Sequence, residues 1–127
     1  MHISVQFDTF QLAQVFTISR GSRTEAQVLT VRVERDGHVG WGECVPYARY
    51  GETLKSVASE IEGVDARSRP ELFEALPAGA ARNALDCAFW DLEAKTAGVR
   101  VSDLAGLGPL KPEITAYTLS CLLYTSD

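Results

Sequence analysis

The stretch from residue 77 to residue 106 constrains the fold of this chain more than any other. Small and apolar side chains recur there at spacings of three and four, and they comprise Ala81, Ala84, Leu85, Ala88, Phe89 and Leu92. This spacing places them on one face of an α-helix. Asp91 precedes Lys95 by four residues, the favourable order for a helical ion pair, and Gly98 follows where a left-handed residue commonly ends a helix. We predict one long helix from about residue 79, closely approached by another element, and a short helical turn beyond it.

Alternating apolar residues precede this helix and predict an antiparallel sheet. Residues 3–7 alternate, and residues 27–34 place Leu29, Val31 and Val33 on one face. The Asp-Gly pair at positions 36 and 37 is typical of a two-residue hairpin turn, and residues 39–44 return as its partner strand. We therefore expect a meander of about three strands.

Helices follow the strands. Residues 52–63 carry apolar side chains at helical spacing, and Ser68 and Glu71 form a capping-box pattern with proline between them, which predicts a short helix to about Ala75. Strands followed by helices indicate an α+β domain. Residues 113–119 predict one more strand, and the absence of a following partner suggests that the chain is truncated.

Composition excludes several classes of protein. The 127 residues carry a net charge of −5 with scattered basic residues, which argues against nucleic-acid binding. No apolar run reaches the roughly 20 residues of a membrane span, and no signal peptide is evident. Three cysteines at irregular spacing argue against a disulfide framework or a zinc site. We expect Cys44 and Cys87 to be small buried apolar residues in a reducing cytoplasm.

Residues 81–95, with Leu104 and Gly106, follow the pattern AxNALDxAxxDLxAK. This pattern resembles the first signature of the mandelate racemase/muconate lactonizing group of the enolase superfamily. Phe89, Arg100 and Ala105 depart from the usual pattern at positions away from the chemistry. Three segments, RGSRTEA at 20–26, GECVPYARYGE at 42–52 and LPAGAARNALD at 76–86, further resemble the L-Ala-D/L-Glu (dipeptide) epimerases.

The resemblance implies a domain organisation. Residues 1–98 would form an N-terminal capping domain, with a three-stranded meander followed by a helical bundle, and residues 99–112 a linker. Residues 113–120 would form the first strand of a truncated (β/α)₇β barrel. Residues 121–127 do not fit the family and are predicted to be a non-native tail.

The resemblance also implies an activity. The longer parent would be a cytoplasmic isomerase of murein peptide metabolism, epimerising L-Ala-L-Glu and L-Ala-D-Glu by α-proton abstraction with Mg²⁺. Its partner would be a small acidic dipeptide, and its oligomeric state stays open. The alternatives are a parent similar to muconate cycloisomerase or o-succinylbenzoate synthase, and an inert or binding-only domain.

The family's two lysine bases and three metal-binding carboxylates would lie in the barrel beyond residue 120. No catalytic residue and no metal ligand is therefore expected in this chain, which we predict to be inactive. Asp86 and Asp91 are expected to be structural, each paired with the cation four residues away on the same helix, Arg82 and Lys95.

The capping domain would contribute substrate contacts. Arg23 is the strongest candidate, because its guanidinium offers paired donors to the carboxylate of a glutamyl residue, although a solvated loop arginine is the alternative. Phe16 would line the specificity pocket or belong to the core. Tyr50 would belong to a second capping loop, as a contact or a structural residue. Thr118 would bind substrate at the end of the first barrel strand or serve as a β-branched strand former.

Overall fold

The structure, a computed structural model, describes residues 1–18 and 21–118. Three strands precede the helices, which confirms the predicted α+β class. The elements are β1 (His2–Ile18), β2 (Gly21–Arg35), β3 (His38–Cys44), a 3₁₀ helix (Ala48–Tyr50), α1 (Leu54–Gly63), α2 (Arg69–Ala75), α3 (Ala80–Ala97) and α4 (Val101–Leu104). No helix in this part of the chain is both long and apolar enough to cross a membrane.

The strands form an antiparallel sheet in the order β1-β2-β3. Asp36 and Gly37 both have positive φ, 50° and 82°, which is the backbone of the hairpin turn that their sequence predicts. Leu29, Val31 and Val33 are fully buried, so the alternation in β2 is confirmed. These three side chains form the sheet's contribution to the core.

Helix α3 packs so closely against β3 that the backbones of the two elements approach each other. Its predicted small and apolar face is buried, and that face comprises Ala81, Ala84, Leu85, Ala88, Phe89 and Leu92. Gly40 and Gly42 of β3 meet this face. A methyl group built on Gly42 would lie 2.9 Å from the carbonyl carbon of Ala84, and one built on Gly40 would lie 2.8 Å from Cβ of Leu92. The close approach is therefore made by glycines on the strand as well as by alanines on the helix.

The helix ends follow the predicted signals with one difference. Gly98 ends α3 with φ 70°, as expected. The Ser68 hydroxyl accepts the Glu71 amide at 3.3 Å, but the Glu71 carboxylate accepts the Arg67 amide at 2.7 Å and does not return to Ser68. The capping box is thus only half formed, because the acidic side chain finds the preceding amide instead.

The predicted ion pair between Arg82 and Asp86 is wrong. The Arg82 guanidinium lies 4.4 Å from the centre of the Phe73 ring and donates to the carbonyl of Leu76 at 3.4 Å. A ring and a carbonyl on the neighbouring chain segment thus take the place of the carboxylate. Asp86 keeps one buried oxygen, Oδ1, without a hydrogen-bond partner among the described residues.

The pair between Asp91 and Lys95 is confirmed at 2.7 Å, and it also contacts the sheet. Asp91 accepts the amide of Trp41 at 2.9 Å, and Lys95 donates to the carbonyl of Val39 at 3.0 Å. Strand β3 is an edge of the sheet, whose unpaired groups would otherwise face solvent. The ion pair therefore satisfies two polar groups of an open strand edge.

Two further expectations need correction or stay open. Cys44 is buried but Cys87 is exposed, because Cys87 precedes the buried Ala88 by one residue and so lies about 100° around the helix from it. Residues 113–118 are exposed and carry no strand, since none of the described residues pairs with them. Residues 119–127, with the rest of the predicted strand and the predicted tail, lie outside the described residues. The predicted domain boundaries stay predictions.

Candidate functional site

A break in strand register shapes the far end of the β1–β2 hairpin. The two strands pair continuously from His2 opposite Glu34 to Gln11 opposite Glu25, and pairing resumes with Phe16 opposite Arg23. Residues 12–15 therefore lie opposite a single residue of β2. An irregularity of this kind bends the strand that carries the extra residues, and the hairpin is concave there.

A pocket of about 460 Å³ occupies this concave region. It lies between the hairpin and the segment that follows β3, and its walls include Phe16, Arg23, Glu25, Gln27, Val45 and Tyr47. Arg23, Glu25 and Gln27 point into it together because alternate residues of a strand share a face. The pocket thus combines apolar and aromatic walls with the guanidinium of Arg23 and the carboxylate of Glu25.

Arg23 makes no hydrogen bond or ion pair with any residue that the structure describes. Phe16 is its cross-strand neighbour. Glu25, which could neutralise it, accepts a hydrogen bond from the Gln11 side-chain amide at 3.2 Å and forms no ion pair with a described residue. The guanidinium therefore remains available, and its planar set of donors is suited to a carboxylate.

A second pocket of about 480 Å³ adjoins the loop after β3, and Val45 and Tyr47 line both. Tyr50 lines the second pocket and is 75% exposed, with its ring centre 5.7 Å from that of Tyr47. The structure thus brings the predicted residues Arg23 and Phe16 together and places Tyr50 in the adjoining pocket. Thr118 is exposed and lines neither pocket.

Sequence reasoning quoted Tyr47 and Glu52 within the family-like segment 42–52 but assigned neither of them a role in this region. Glu52 was also expected to start a helix, but α1 begins at Leu54 and is capped by Thr53. The Glu52 carboxylate instead accepts the amides of Tyr47 at 3.2 Å and Ala80 at 2.8 Å. No local periodicity reveals such contacts. The two-residue period of a strand could have indicated that Glu25 and Gln27, two and four residues beyond Arg23, share its face.

Among the described residues, two groups have clearly shifted pKa values, and neither supplies a base or a nucleophile for neutral pH. Burial, with the nearby charges of Glu52 and Glu43, raises the pKa of the Cys44 thiol to about 11. A hydrogen bond from the Thr30 hydroxyl, with a second from Gln6, lowers the pKa of Asp8. Within residues 1–18 and 21–118, no three His, Cys, Asp or Glu side chains lie close enough together to hold a metal ion.

The fold and the matched residues define the family. The model of the mandelate racemase/muconate lactonizing enzyme N-terminal domain matches residues 2–106. This chain therefore belongs to that family, as its helix signature indicated. The described helix α3, which carries that signature, packs the domain together and does not line the 460 Å³ pocket.

Individual relatives share the fold and much of the sequence. L-Ala-D/L-Glu epimerase of Escherichia coli K12 is 45% identical over 122 residues, which are 92% of this chain and 38% of the relative. A solved enolase family member from Agrobacterium tumefaciens, with homology to dipeptide epimerases and bound sodium and L-Ala-L-Glu, is 43% identical with a TM-score of 0.84, covering 91% of this chain and 37% of its own. Dipeptide epimerase from Methylococcus capsulatus, solved with Mg and L-Arg-D-Lys, is 31% identical with a TM-score of 0.72, covering 83% and 34%. This chain thus spans well under half the length of each.

Proposed function

We propose that this chain forms the substrate-capping part of a dipeptide epimerase that interconverts L-Ala-L-Glu and L-Ala-D-Glu. The observation that carries the proposal is the guanidinium of Arg23, which has no partner among the described residues and lies in a pocket with aromatic walls. The 45% identity to the E. coli L-Ala-D/L-Glu epimerase and the L-Ala-L-Glu bound to the A. tumefaciens protein support the same substrate.

Arg23 would select the glutamyl residue of the dipeptide. Two parallel N–H donors can hold the side-chain carboxylate in one orientation, and the neighbouring Phe16 and Tyr47 rings would exclude water and strengthen that contact. Tyr50 would contact the substrate from the adjacent loop. Thr118 stays a proposed contact that requires a further part of the protein to bring it to the substrate.

The proton transfer itself would use groups outside the described residues. Moving an α-proton between the two faces of a carbon requires a base and an acid on opposite sides of it. We place these groups, and a Mg²⁺ site, in the part of the relatives that this chain does not cover. Mg²⁺ would stabilise the negative charge that develops next to the departing proton. The 127-residue chain alone is therefore expected to be inactive.

The cellular setting follows from the proposed reaction. The enzyme would act in the cytoplasm on acidic dipeptides from murein degradation, and free cysteines such as Cys44 and Cys87 are compatible with that reducing compartment. A parent similar to muconate cycloisomerase or o-succinylbenzoate synthase is the alternative within the superfamily. An inert or binding-only domain is the alternative outside it.

A chimeric enzyme tests the substrate assignment. Residues 1–118 would be joined to the part of the E. coli epimerase beyond the matched region, and epimerisation would be followed by deuterium incorporation at the α-carbon. Loss of a charge-assisted hydrogen bond costs roughly 1.5–3 kcal/mol, so Arg23→Ala should lower kcat/KM for L-Ala-L-Glu by about 10- to 100-fold. A neutral dipeptide such as L-Ala-L-Leu should be unaffected.

Arg32→Ala is the matched control, since Arg32 pairs with Glu34 at 2.7 Å and lies outside the pocket. Equal losses for the acidic and the neutral dipeptide would remove Arg23 from its proposed role. Deuterium incorporation by the purified 127-residue chain would contradict its expected inactivity. Binding of L-Ala-L-Glu by that chain, with a chimera that turns over no dipeptide, would favour a binding-only domain.

A further inference from the structure

We infer that Glu52 is a positioning residue that holds the Tyr47 wall of the Arg23 pocket in place. Its two carboxylate oxygens accept backbone amides from two different elements: Oε1 from Tyr47, in the loop after β3, and Oε2 from Ala80, the first residue of α3. One side chain thus joins a pocket wall to the longest helix of the domain. We call these two hydrogen bonds of Glu52 the brace. The brace can be tested in this chain without any activity, whereas its effect on catalysis rests on the proposed function.

In the loop between β3 and α1, the backbone amide and the backbone carbonyl of Tyr47 both form hydrogen bonds with residue 52. The Tyr47 amide donates to the Glu52 carboxylate, and the Glu52 amide donates to the Tyr47 carbonyl at 3.3 Å. The Tyr50 amide donates to the same carbonyl at 3.0 Å, and Gly51 closes the turn with φ 74°. The loop therefore has one defined backbone shape, which Glu52 attaches to the rest of the domain.

The other end of the brace is favourable for a negative charge. Helix α3 is 18 residues long, and its N-cap, Gly79, has no side chain to accept an amide. The first amides of a helix lack intrahelical acceptors, and the helix dipole favours an anion at this end. Glu52 supplies that anion from outside the helix. A carboxylate acceptor makes each of these hydrogen bonds stronger than a neutral acceptor would.

Glu52 and Arg23 line a common pocket of about 320 Å³, yet no ion pair forms between them in the described structure. Each carboxylate oxygen of Glu52 accepts one amide, which orients the carboxylate toward the loop and α3. In this orientation Glu52 leaves the Arg23 guanidinium to an external carboxylate, while Tyr47 remains at the pocket wall.

Glu52→Gln tests the brace in the 127-residue chain. Glutamine has nearly the same size but one acceptor oxygen, and its NH₂ group would face the second amide. Hydrogen exchange measured by NMR should accelerate at least about tenfold at the Tyr47 or the Ala80 amide, as expected for the loss of one charge-assisted hydrogen bond. Glu60→Gln is the control, because Glu60 is exposed on α1 and the charge change is identical. Unchanged exchange at both amides would overturn the brace, whether or not any epimerase activity exists.

Ala80→Pro removes the hydrogen bond between Ala80 and Glu52 by deleting its donor, the backbone amide of residue 80. Proline is well accepted as the first residue of a helix, and Gly79 is extended with ψ −176°, as the residue before a proline should be. In the chimera, Glu52→Gln and Ala80→Pro should each raise KM for L-Ala-L-Glu by about tenfold and leave kcat within about twofold. The double variant should be no worse than either single one.

These outcomes separate the inference from the proposed function. Accelerated exchange with kinetics equal to those of Glu60→Gln would show that the brace does not position a substrate-binding wall. A fall in kcat with unchanged KM would also overturn the positioning role. A chimera that turns over no dipeptide would refute the proposed function, while the exchange of Tyr47 and Ala80 would still decide the brace.

Discussion

Replacing Gly42 by alanine adds only one methyl group, but it should destabilise this domain strongly, because that methyl group meets the backbone of α3. The methyl carbon would lie 2.9 Å from the carbonyl carbon of Ala84 and 3.1 Å from the amide nitrogen of Ala88, with the Ala84 oxygen closer still. Carbon atoms in contact prefer about 3.5–4.0 Å. Backbone atoms cannot rotate away as a side chain can, so α3 has to move from the sheet by about 1 Å.

The size of the effect follows from two opposing terms. Overpacking of a core typically costs about 1–3 kcal/mol, and displacement of a whole helix belongs at the upper end of that range. Loss of glycine's freedom in the unfolded chain offsets roughly 0.4–1 kcal/mol. We expect Gly42→Ala to lower the free energy of unfolding by about 2–3 kcal/mol. At roughly 4–8 °C per kcal/mol, Tm would fall by about 10–20 °C.

Urea unfolding of the 127-residue chain measures this change, with far-UV circular dichroism and the fluorescence of Trp41 and Trp90 as independent probes. Two control variants separate the steric effect from other effects. Gly63→Ala, at the end of α1, meets no atom within 4 Å and should be neutral or more stable by up to about 1 kcal/mol. Gly98→Ala is equally uncrowded but has φ 70°, so it should lose only the roughly 1–2 kcal/mol of a left-handed residue.

The refuting result is a Gly42→Ala protein within about 0.5 kcal/mol of the parent, the range of ordinary surface substitutions. That outcome would show that α3 and β3 adjust without loss of packing. Equal destabilisation by Gly63→Ala would indicate that alanine acts through something other than contact with α3.

Three further predictions concern the sheet edge and the cysteines. Asp91→Ala should accelerate hydrogen exchange of the Trp41 amide at least tenfold and cost about 1–2 kcal/mol in urea unfolding; unchanged exchange would contradict the edge contact. In a Cys121→Ser background, Ellman's reagent should label exposed Cys87 quickly and buried Cys44 slowly at pH 8, and equal rates would contradict the burial. Burial raises the pKa of Cys44 from 9.0 to about 11, so between these pH values the folded state keeps a proton that the unfolded state has lost. The free energy of unfolding should therefore fall as the pH rises from 9 to 11. A Cys44→Ala protein with the same decline would exclude this cause.

Local pattern was sufficient for most elements of this fold, although the strand that it predicted over residues 113–118 is not formed. The two-residue period of β2, the Asp-Gly turn and the helical stripe of α3 each depend on neighbours within a few positions, and each was predicted correctly. Arg23 and Phe16 were also predicted as site residues, from family resemblance, and the hairpin register places them side by side. The register break that makes the pocket between them had no signature in the pattern.

Contacts between distant residues were decided by the tertiary structure. Glu52 reaches Ala80 across 28 positions and Asp91 reaches Trp41 across 50, so neither contact is visible in a helical or strand period. The same limit explains the error at Arg82, where a ring and a carbonyl on another segment displaced the expected partner four residues away. Periodicity says which face of an element is buried, because burial follows from the spacing of apolar side chains. The partners of polar groups are chosen only when the elements meet, because each unpaired donor or acceptor takes the nearest suitable group in space.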